Sequence, residues 1–402
     1  MRLTALGAAL LSLSLASPQA GDTFPPWTPG TLDIHQIVTG RGNSAFTIFP
    51  DGTTILVDAG DAGDIQGADP KPDGTCTPAQ RISDYVAHML EGRGAVIDYA
   101  VVTHFHADHF GRIDGTEPRS NHGDYRVRGI TEVAEEIPIR TLIDRGDDYL
   151  PPTDAIFQNY RRFTAAESAA GRLTVRQAVA GSASQIVPMR STNTSAAFTV
   201  RIVSVNDRVW TGTGDATTVR FPALADIADP EDRPTENMCS VTLRISYGPF
   251  DYFTGGDMPG YPVPGAPAWH DLETTVARAI GPTDAHVVNH HGSIEEENPF
   301  WLATHRSRVM VVPAWSATHP SPDVLKRMLS PRVYPGPRDI FITAFREATK
   351  LAIGPRATQV ASDHGHVVIR VEPGGARYRV FVLADTTTSY RITSVHGPYV
   401  SE

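Results

Sequence analysis

The chain has 402 residues, of which 41% are hydrophobic and 20% charged, and its formal net charge is −10 at pH 7. This apolar share can bury a large core, and the charge is too low for a disordered polyelectrolyte. A general nucleic-acid binder carries a basic excess, so the acidic balance excludes non-specific coating of DNA but not a local basic groove.

Residues 1–20 have the pattern of a secretory signal peptide, in which Arg2 precedes the apolar run Leu3 to Ala16. The run is too short to span a bilayer, which takes roughly 20 residues. A buried N-terminal helix and an uncleaved anchor are the alternatives. We expect a secreted or periplasmic protein without a membrane span in its mature chain. There Cys76 and Cys239 either form the one possible disulfide or stay free thiols.

Apolar strand-like runs come first in hairpins and then alternate with helical spacing, which predicts an α/β fold of sheets between helices. The predicted strands are Leu32–Val38, Ala45–Phe49, Thr54–Val57, Tyr99–Thr103, Ile139–Ile143, Phe198–Val205, Ser240–Ser246, Phe250–Thr254, Ala285–Asn289, Arg308–Val312, Ile340–Thr343, His366–Val371 and Tyr378–Leu383. The predicted helices are Pro78–Glu91, Pro299–His305 and Pro322–Leu329. Residues 112–235 are polar and rich in turn residues, and we interpret them as a loop-rich insertion in a single domain, 21–402.

Three imidazoles and a carboxylate lie within six residues in the run His104 to His109, directly after a buried strand. His104 and His106 can converge on one metal ion if the loop curls, and Asp108 and His109 then point to a neighbouring position. Neutral imidazole and carboxylate oxygen suit zinc, manganese or iron rather than calcium. The density of this cluster disfavours the alternative, a polar loop with incidental histidines.

The run resembles the His-x-His-x-Asp-His signature of the metallo-β-lactamase superfamily. Ile55 to Gly60 resembles the first motif of that family, a strand ending in an aspartate, here Asp58, that orients the metal-binding loop from behind. Phe253 to Asp257 resembles the motif whose aspartate bridges two metal ions. Taken alone, Asp58 could equally cap a turn or a helix, and Gly-Gly-Asp is a turn sequence. The resemblance implies an αββα sandwich, two mixed β-sheets flanked by helices.

Asn289 to Ser293 resembles the His-His-Gly-Ser motif of the branch that includes the ComEC-type hydrolase domain of the bacterial DNA-uptake channel and the secreted phosphorylcholine esterases. One histidine of the pair would bind metal and the other would face substrate; we favour His291 slightly as the ligand, and His290 as the substrate-facing residue. His319 stands in Thr-His-Pro, where this branch has Gly-His-Pro. It would donate a proton or face phosphate, or else only begin a helix. The Gly-His-Thr motif of β-lactamases and most lactonases of the superfamily is absent.

The resemblance implies a secreted hydrolase with two divalent metal ions, zinc or manganese, that share a hydroxide nucleophile. The implied metal ligands are His104, His106, Asp108, His109, Asp257 and His291, with Asp58 behind them, and the implied catalytic residues are Asp108, His290 and His319. Phosphodiesters or phosphate esters are the expected substrates, and no stable nucleic-acid partner is expected. The alternatives are a carboxylic ester or lactone hydrolase on the same site, and a non-catalytic metal-binding module of the cell envelope.

Overall fold

The computed structural model of the chain describes residues 18–64, 71–191, 196–261 and 263–402. Two mixed β-sheets, one of nine strands and one of eight, lie between two layers of helices. The predicted α/β sandwich is therefore confirmed. Most of the predicted signal peptide, residues 1–17, lies outside the described residues.

The strands are β1 (Leu32–Gln36), β2 (Ala45–Ile48), β3 (Thr54–Val57), β4 (Ile97–Val101), β5 (Ile139–Asp144), β6 (Thr174–Gln177), β7 (Phe198–Val205), β8 (Arg208–Trp210), β9 (Thr217–Val219), β10 (Thr242–Tyr247), β11 (Phe250–Thr254), β12 (Ala285–Val287), β13 (Val309–Val312), β14 (Asp339–Ile342), β15 (His366–Val371), β16 (Arg377–Leu383) and β17 (Ile392–Val400). The helices are α1 (Pro78–Met89), α2 (Ala107–Phe110), α3 (Ile130–Glu136), α4 (Ala155–Ala169), α5 (Leu272–Ile280), α6 (Pro299–His305), α7 (Pro322–Met328) and α8 (Glu347–Ile353). Every predicted element lies within two residues of an observed one at both ends.

The strand order is β17-β16-β15-β1-β2-β3-β4-β5-β6 in one sheet and β14-β13-β12-β11-β10-β7-β8-β9 in the other. Strands β3 to β6 run parallel to one another, and so do β11 to β14. The other strand pairs are antiparallel. Each sheet thus has a parallel half, whose strands all end at the same edge.

Apolar side chains fill three layers, because successive residues of a strand face opposite sides of its sheet. In β3, Ile55 faces the other sheet, where it shares a buried cluster with Leu243, and Leu56 belongs to the cluster on the helix side. Ile82 of α1 packs in that outer cluster, and Val276 of α5 packs in the corresponding cluster outside the second sheet. The helices cover the sheets and leave the strand ends for the site.

Helix α1 shows how local sequence sets an element boundary. The hydroxyl of Thr77 accepts from the backbone N–H of Gln80, and the Gln80 side chain accepts in turn from the Thr77 N–H. This reciprocal pair satisfies two backbone donors that the first helical turn leaves open, and Pro78 needs no donor there. The helix therefore begins where the sequence predicts.

The stretch 112–235 is more ordered than a loop-rich insertion. Strands β5 and β6 extend the first sheet from β4, and β7 pairs with β10 in the second sheet. Helix α4 was not predicted because polar and charged residues interrupt its apolar ones, although Phe157, Tyr160 and Phe163 are buried along one side of it. The other elements without a prediction are α2, α3, α5, α8, β6, β8, β9 and β17. The division into one domain with an insertion stays a prediction.

Cys76 and Cys239 are free thiols, the second of them buried. The sequence leaves open a disulfide or two free thiols, and the structure has the two free thiols. No helix in the described ranges is long and apolar enough to cross a membrane.

Trp301 is fully buried, and its ring packs against Phe253, His286 and His305 at centroid distances of 5.0, 6.0 and 3.7 Å. We predict that Trp301→Ala lowers the free energy of unfolding by about 3–5 kcal/mol, because it leaves a large cavity. Urea unfolding followed by far-ultraviolet circular dichroism measures this. Leu351→Ala, at a residue that is 81% exposed, is the control and should change stability by less than about 0.5 kcal/mol. Equal effects of the two substitutions would contradict the packing described here.

Candidate metal centre

The predicted site residues follow the ends of four strands. Asp58 follows β3, and the run His104 to His109 follows β4, which is parallel to β3. Asp257 follows β11, and the pair His290 and His291 follows β12, which is parallel to β11. Because the carboxyl ends of parallel strands meet at one edge, the two sheets bring these side chains to a common crevice.

Two groups of potential metal ligands meet in this crevice, and Asp257 belongs to both. The His109 group consists of Asp108, His109, Asp257 and His291, and the His104 group consists of His104, His106 and Asp257. Within each group the ligand atoms all lie within 4.8 Å of one another. These are the two sets that the sequence assigns to two ions.

The two carboxylate oxygens of Asp257 face different groups. Oδ1 lies 3.0 Å from Nε2 of His109 and 3.6 Å from Nε2 of His291. Oδ2 lies 3.7 Å from Nε2 of His104 and 3.6 Å from Nε2 of His290. The side chain of Asp257 is only 3% exposed. This buried carboxylate lies between the two groups, with one oxygen facing each of them.

Asp58 holds His109 from behind. Its Oδ2 accepts the Nδ1 proton of His109 at 2.7 Å and a proton from the Thr103 hydroxyl at 2.9 Å. Nδ2 of Asn43 donates to the same oxygen at 2.9 Å. A Cβ on Gly60 would lie 1.7 Å from the backbone oxygen of Asp108, so only glycine allows this loop to approach the metal-binding loop so closely. Asp58 therefore has the orienting position that the family resemblance implies.

The two adjacent histidines are both fixed through Nδ1. Nδ1 of His290 donates to Oε1 of Glu296 at 2.8 Å, and Nδ1 of His291 donates to the backbone oxygen of Pro313 at 3.0 Å. Both backbones are left-handed, with φ of 46° and 56°, a conformation that costs energy for residues with a Cβ. The result is that Nε2 of both rings faces Asp257.

His319 lies behind His291. The two rings stack at a centroid distance of 4.8 Å and an interplanar angle of 20°, and Trp315 meets both rings edge-on. Nδ1 of His319 is buried without a hydrogen-bond partner among the described residues. His319 thus belongs to the crevice rather than only to the start of α7.

The charges of the centre depend on one another. Burial disfavours a charged His109, but the carboxylates of Asp257, Asp58 and Asp108 outweigh it and raise the pKa of His109 well above its usual value. Burial likewise disfavours the charged form of Asp257, but the surrounding imidazoles, led by His109, hold the pKa of this carboxyl well below its usual range. Burial lowers the pKa of His104 well below normal, so this imidazole is neutral.

His290 and His319 differ in charge. Burial opposes a proton on His290, but Asp257 and the hydrogen bond to Glu296 raise the pKa of His290 to about 9. Burial lowers the pKa of His319 well below its usual value. At neutral pH the crevice therefore contains one cationic and one neutral imidazole beyond the two groups.

The donor atoms fit divalent metal ions. Nε2 of His104 and of His109 are buried and make no hydrogen bond within the part of the chain that the structure describes. A buried polar atom without a partner is costly, and one ion in each group, held with Asp257, would satisfy the nitrogen of that group. Imidazole and carboxylate ligands with an orienting acceptor behind the imidazole are typical of zinc and similar ions.

The structure brings all the site residues predicted from the sequence into one crevice, with Asp58 behind them. Sequence reasoning missed three polar partners, namely Asn43, Glu296 and Asn237. None of them belongs to a histidine cluster, and Glu296 lies among other acidic residues that look alike in sequence. Two sequence signals could have drawn attention to them. One is the spacing of Asn237 and Ser240 just before β10, and the other is the run Glu295 to Glu297 after the His-His pair.

Residues 38–181 match the family model described as "Metallo-beta-lactamase superfamily". The match covers about a third of the chain, and this part of it is similar to the metallo-β-lactamase superfamily. Members with this fold are typically metal-dependent hydrolases, which agrees with the predicted reaction class. No curated protein sequence matches the chain.

Several solved structures are similar to the chain at low sequence identity. A CmlA beta-hydroxylase mutant is 12% identical, with a TM-score of 0.40, and the match covers 86% of this chain but 54% of that one. Zn²⁺-bound PqqB from Methylobacterium extorquens is 13% identical over 84% of this chain and 99% of that one, with a TM-score of 0.39. Unliganded yeast PDE1 is 12% identical over the same shares, with a TM-score of 0.34. No conclusion about substrate follows from these similarities.

We predict that Asp58→Asn lowers the affinity for one of two bound metal ions by about 10- to 100-fold, since the carboxylate that orients His109 is lost. Chelator competition with zinc measures the affinity. Asp64→Asn, at a residue whose side chain is 90% exposed, is the matched control and should leave the affinity unchanged. If Asp58→Asn binds zinc as the unaltered protein does, Asp58 does not support the centre.

Proposed function

We propose that the chain is a secreted hydrolase of phosphodiester or phosphate ester bonds that depends on two divalent metal ions. The observation that carries this proposal is the pair of ligand groups on opposite oxygens of Asp257. The chemistry that two bound ions supply is a nucleophile formed from water near neutral pH and stabilisation of the attacking and leaving oxygens of an in-line displacement.

The protein's own groups fix the geometry of that reaction. Asp58 orients His109 and Pro313 orients His291, each through a hydrogen bond to Nδ1. His290 has a side chain that is 28% exposed, with Nε2 on the crevice side and Nδ1 bound to Glu296. It is therefore the imidazole placed to hold a proton at Nε2 for the leaving oxygen. His319, stacked behind His291, contacts the substrate less directly.

Two narrower assignments belong to the same proposal. The His-His-Gly-Ser sequence at 290–293 and the Thr-His-Pro sequence at 318–320 support membership of the ComEC-type and phosphorylcholine esterase-like branch. The apolar run Leu3 to Ala16 supports export to the periplasm or the medium. Zinc is the ion that we expect first, with manganese as the alternative.

The protein reloaded with zinc or manganese should hydrolyse bis(p-nitrophenyl) phosphate. We predict that Asp108→Ala lowers the rate by more than the roughly 100-fold that loss of an outer partner costs, because it removes a ligand of the His109 group. The release of p-nitrophenol at saturating substrate measures this. Asp114→Ala, the same substitution at an exposed residue, is the control and should keep full activity.

Other outcomes would replace the proposal. Hydrolysis of p-nitrophenyl acetate or of a lactone, without hydrolysis of phosphodiesters, would make the chain a carboxylic ester or lactone hydrolase. Two tightly bound ions without any hydrolysis would indicate the metal-binding envelope module. Absence of bound metal would contradict the whole site.

The role of His290 is tested through the leaving group. Nitrophenolate leaves without a proton, whereas the alcohol of glycerophosphocholine needs one. We predict that His290→Gln lowers kcat by about 10²- to 10⁴-fold on glycerophosphocholine and much less on bis(p-nitrophenyl) phosphate, since a positioned proton donor contributes about that factor. Release of phosphocholine or choline measures the first reaction.

The matched control is His122→Gln, because the side chain of His122 is 40% exposed. This variant should retain full activity on both substrates. Equal losses on the two substrates in His290→Gln would show that His290 does not protonate the leaving group. The same leaving-group dependence in His319→Gln instead would transfer the role to His319.

A further inference from the structure

The two imidazoles of the His104 group lack the device that orients His109. Nδ1 of His109 is held by the carboxylate of Asp58 at 2.7 Å, whereas Nδ1 of His104 has only a neighbouring hydroxyl at 3.2 Å, and His106 is exposed. The rings of His104 and His106 meet edge to face at a centroid distance of 4.8 Å. Their placement therefore depends on the backbone of the residue between them, Phe105.

Phe105 is fixed both at its backbone and at its ring. Oε1 of Glu236 accepts its backbone N–H at 2.7 Å. The residue is buried, and its ring packs against Phe157 at a centroid distance of 4.6 Å and lies 4.8 Å from the guanidinium carbon of Arg145. Because each peptide unit is planar, a bound amide and a packed ring leave the neighbouring histidines little freedom to turn away from each other.

The carboxylate of Glu236 is held in turn by a buried guanidinium. Nε of Arg145 donates to Oε1 of Glu236 at 2.7 Å, and Nη2 donates to Oε2 at 2.6 Å. Nη1 donates to the backbone oxygen of Tyr149 at 2.6 Å, and Nη2 also donates to that of Leu150 at 3.1 Å. Every nitrogen of this buried cation thus has an acceptor, which is the condition for burying a charge. Arg145 fixes the carboxylate in one orientation.

Arg145 reaches the metal-binding loop from the next strand of the sheet. It follows β5, which lies beside β4 and parallel to it, and the end of β4 leads into the loop. Asp58 follows β3, the neighbour of β4 on the other side. Oδ1 of Asp58 accepts the backbone N–H of Thr103 at 2.8 Å, and Glu236 accepts that of Phe105. Two different carboxylates therefore bind two backbone N–H groups of this loop.

We propose that Glu236, held in place by Arg145, is a positioning residue of the His104 group. It acts through the backbone of Phe105 and so sets the placement of the two imidazoles of this group. It serves this group as Asp58 serves the other one. The inference rests on the proposed dinuclear centre. Loss of the contact between Glu236 and Phe105 should therefore weaken the binding of one of the two ions.

The first test removes the charged pair as a whole. A buried ion pair can often be replaced by apolar residues of similar size without loss of stability. The double variant Glu236→Met with Arg145→Met should therefore fold, but it gives the N–H of Phe105 no acceptor. One of two zinc ions should bind about 10- to 100-fold more weakly and the other should be unchanged, since a partner behind the ligands contributes about that factor. Chelator competition measures both affinities, and urea unfolding measures stability.

The second test separates positioning from stability. Oε1 of Glu236 accepts from two donors and Oε2 from one. In Glu236→Gln the carbonyl oxygen should therefore take the place of Oε1, and the NH₂ group then faces Nη2 of Arg145. This variant should unfold at lower urea because two donors meet, but it keeps the acceptor for Phe105 and should bind both ions normally. A pair that only stabilised the fold would not give opposite orders of stability and zinc affinity in the two variants.

A third comparison asks whether the two carboxylates serve different ions. The ion weakened by the double variant should differ from the one that Asp58→Asn weakens. Combining Asp58→Asn with the double variant should therefore weaken both ions. If the combined variant weakens only one ion, Glu236 and Asp58 serve the same position and the inference is wrong.

The matched control is a second pair of the same kind. Arg172 donates to both carboxylate oxygens of Glu167, at 2.7 and 2.9 Å, and within the described ranges neither side chain forms a hydrogen bond with residues 103–109. Replacement of Glu167 and Arg172 by Met should leave both affinities unchanged. If the double variant at 145 and 236 does not fold, Glu236→Asp takes its place. Its carboxylate keeps the charge for Arg145 but is one methylene too short to reach Phe105 as well, so one ion should again bind more weakly.

The outcomes separate this inference from the proposed function. Unchanged affinity for both ions in the double variant, or in Glu236→Asp where that is used, would overturn the role of Glu236 alone if the unaltered protein hydrolyses phosphodiesters. Equal weakening of both ions would also overturn it, because the pair would then not act on one group. Failure of the unaltered protein to bind two ions would contradict the dinuclear centre and this inference together.

Discussion

The structure depends on one buried carboxylate, that of Asp257, whose negative charge must be balanced by groups on both of its sides. Asp257 has imidazole nitrogens of four histidines within 3.0–3.7 Å, two on each oxygen. Burying an anion is expensive unless it is paired, and imidazoles that are fixed through Nδ1 present only Nε2 to it. Nε2 of His104 and of His109 make no hydrogen bond to a described residue, and the anion lies between them, which is the electrostatic setting of a cation site.

Backbone strain is concentrated in the loops that place these imidazoles around Asp257. Asp58, His290 and His291 all have positive φ although none of them is a glycine. Such conformations persist when surrounding contacts over-determine them. Here the contacts are the Nδ1 hydrogen bonds to Asp58, Glu296 and Pro313. The strained loops follow parallel strands of the two sheets. The packing of these strands therefore offsets the energetic cost of the strained residues at the crevice.

Strands that are largely buried and lead into a histidine or aspartate motif could be predicted closely, because a short apolar run bounded by turn residues favours a strand. Thr54–Val57 and Phe250–Thr254 lie where the sequence places them. Helix α4 was missed because its apolar residues are separated by charged ones within a polar stretch. Asn237 and Glu296 were missed for a different reason. A single amide or acid acquires meaning only from what lies beside it in space, and here that is His290 in both cases.

The central claim is that Asp257 divides two metal ions between its oxygens. The most direct measurement is anomalous diffraction from crystals grown with zinc, recorded on both sides of the zinc absorption edge. The account predicts two peaks, one about 2.0–2.2 Å from each oxygen of Asp257, the distance expected for a zinc–carboxylate bond. A single peak, or two peaks of which either lies out of reach of Asp257, would contradict it.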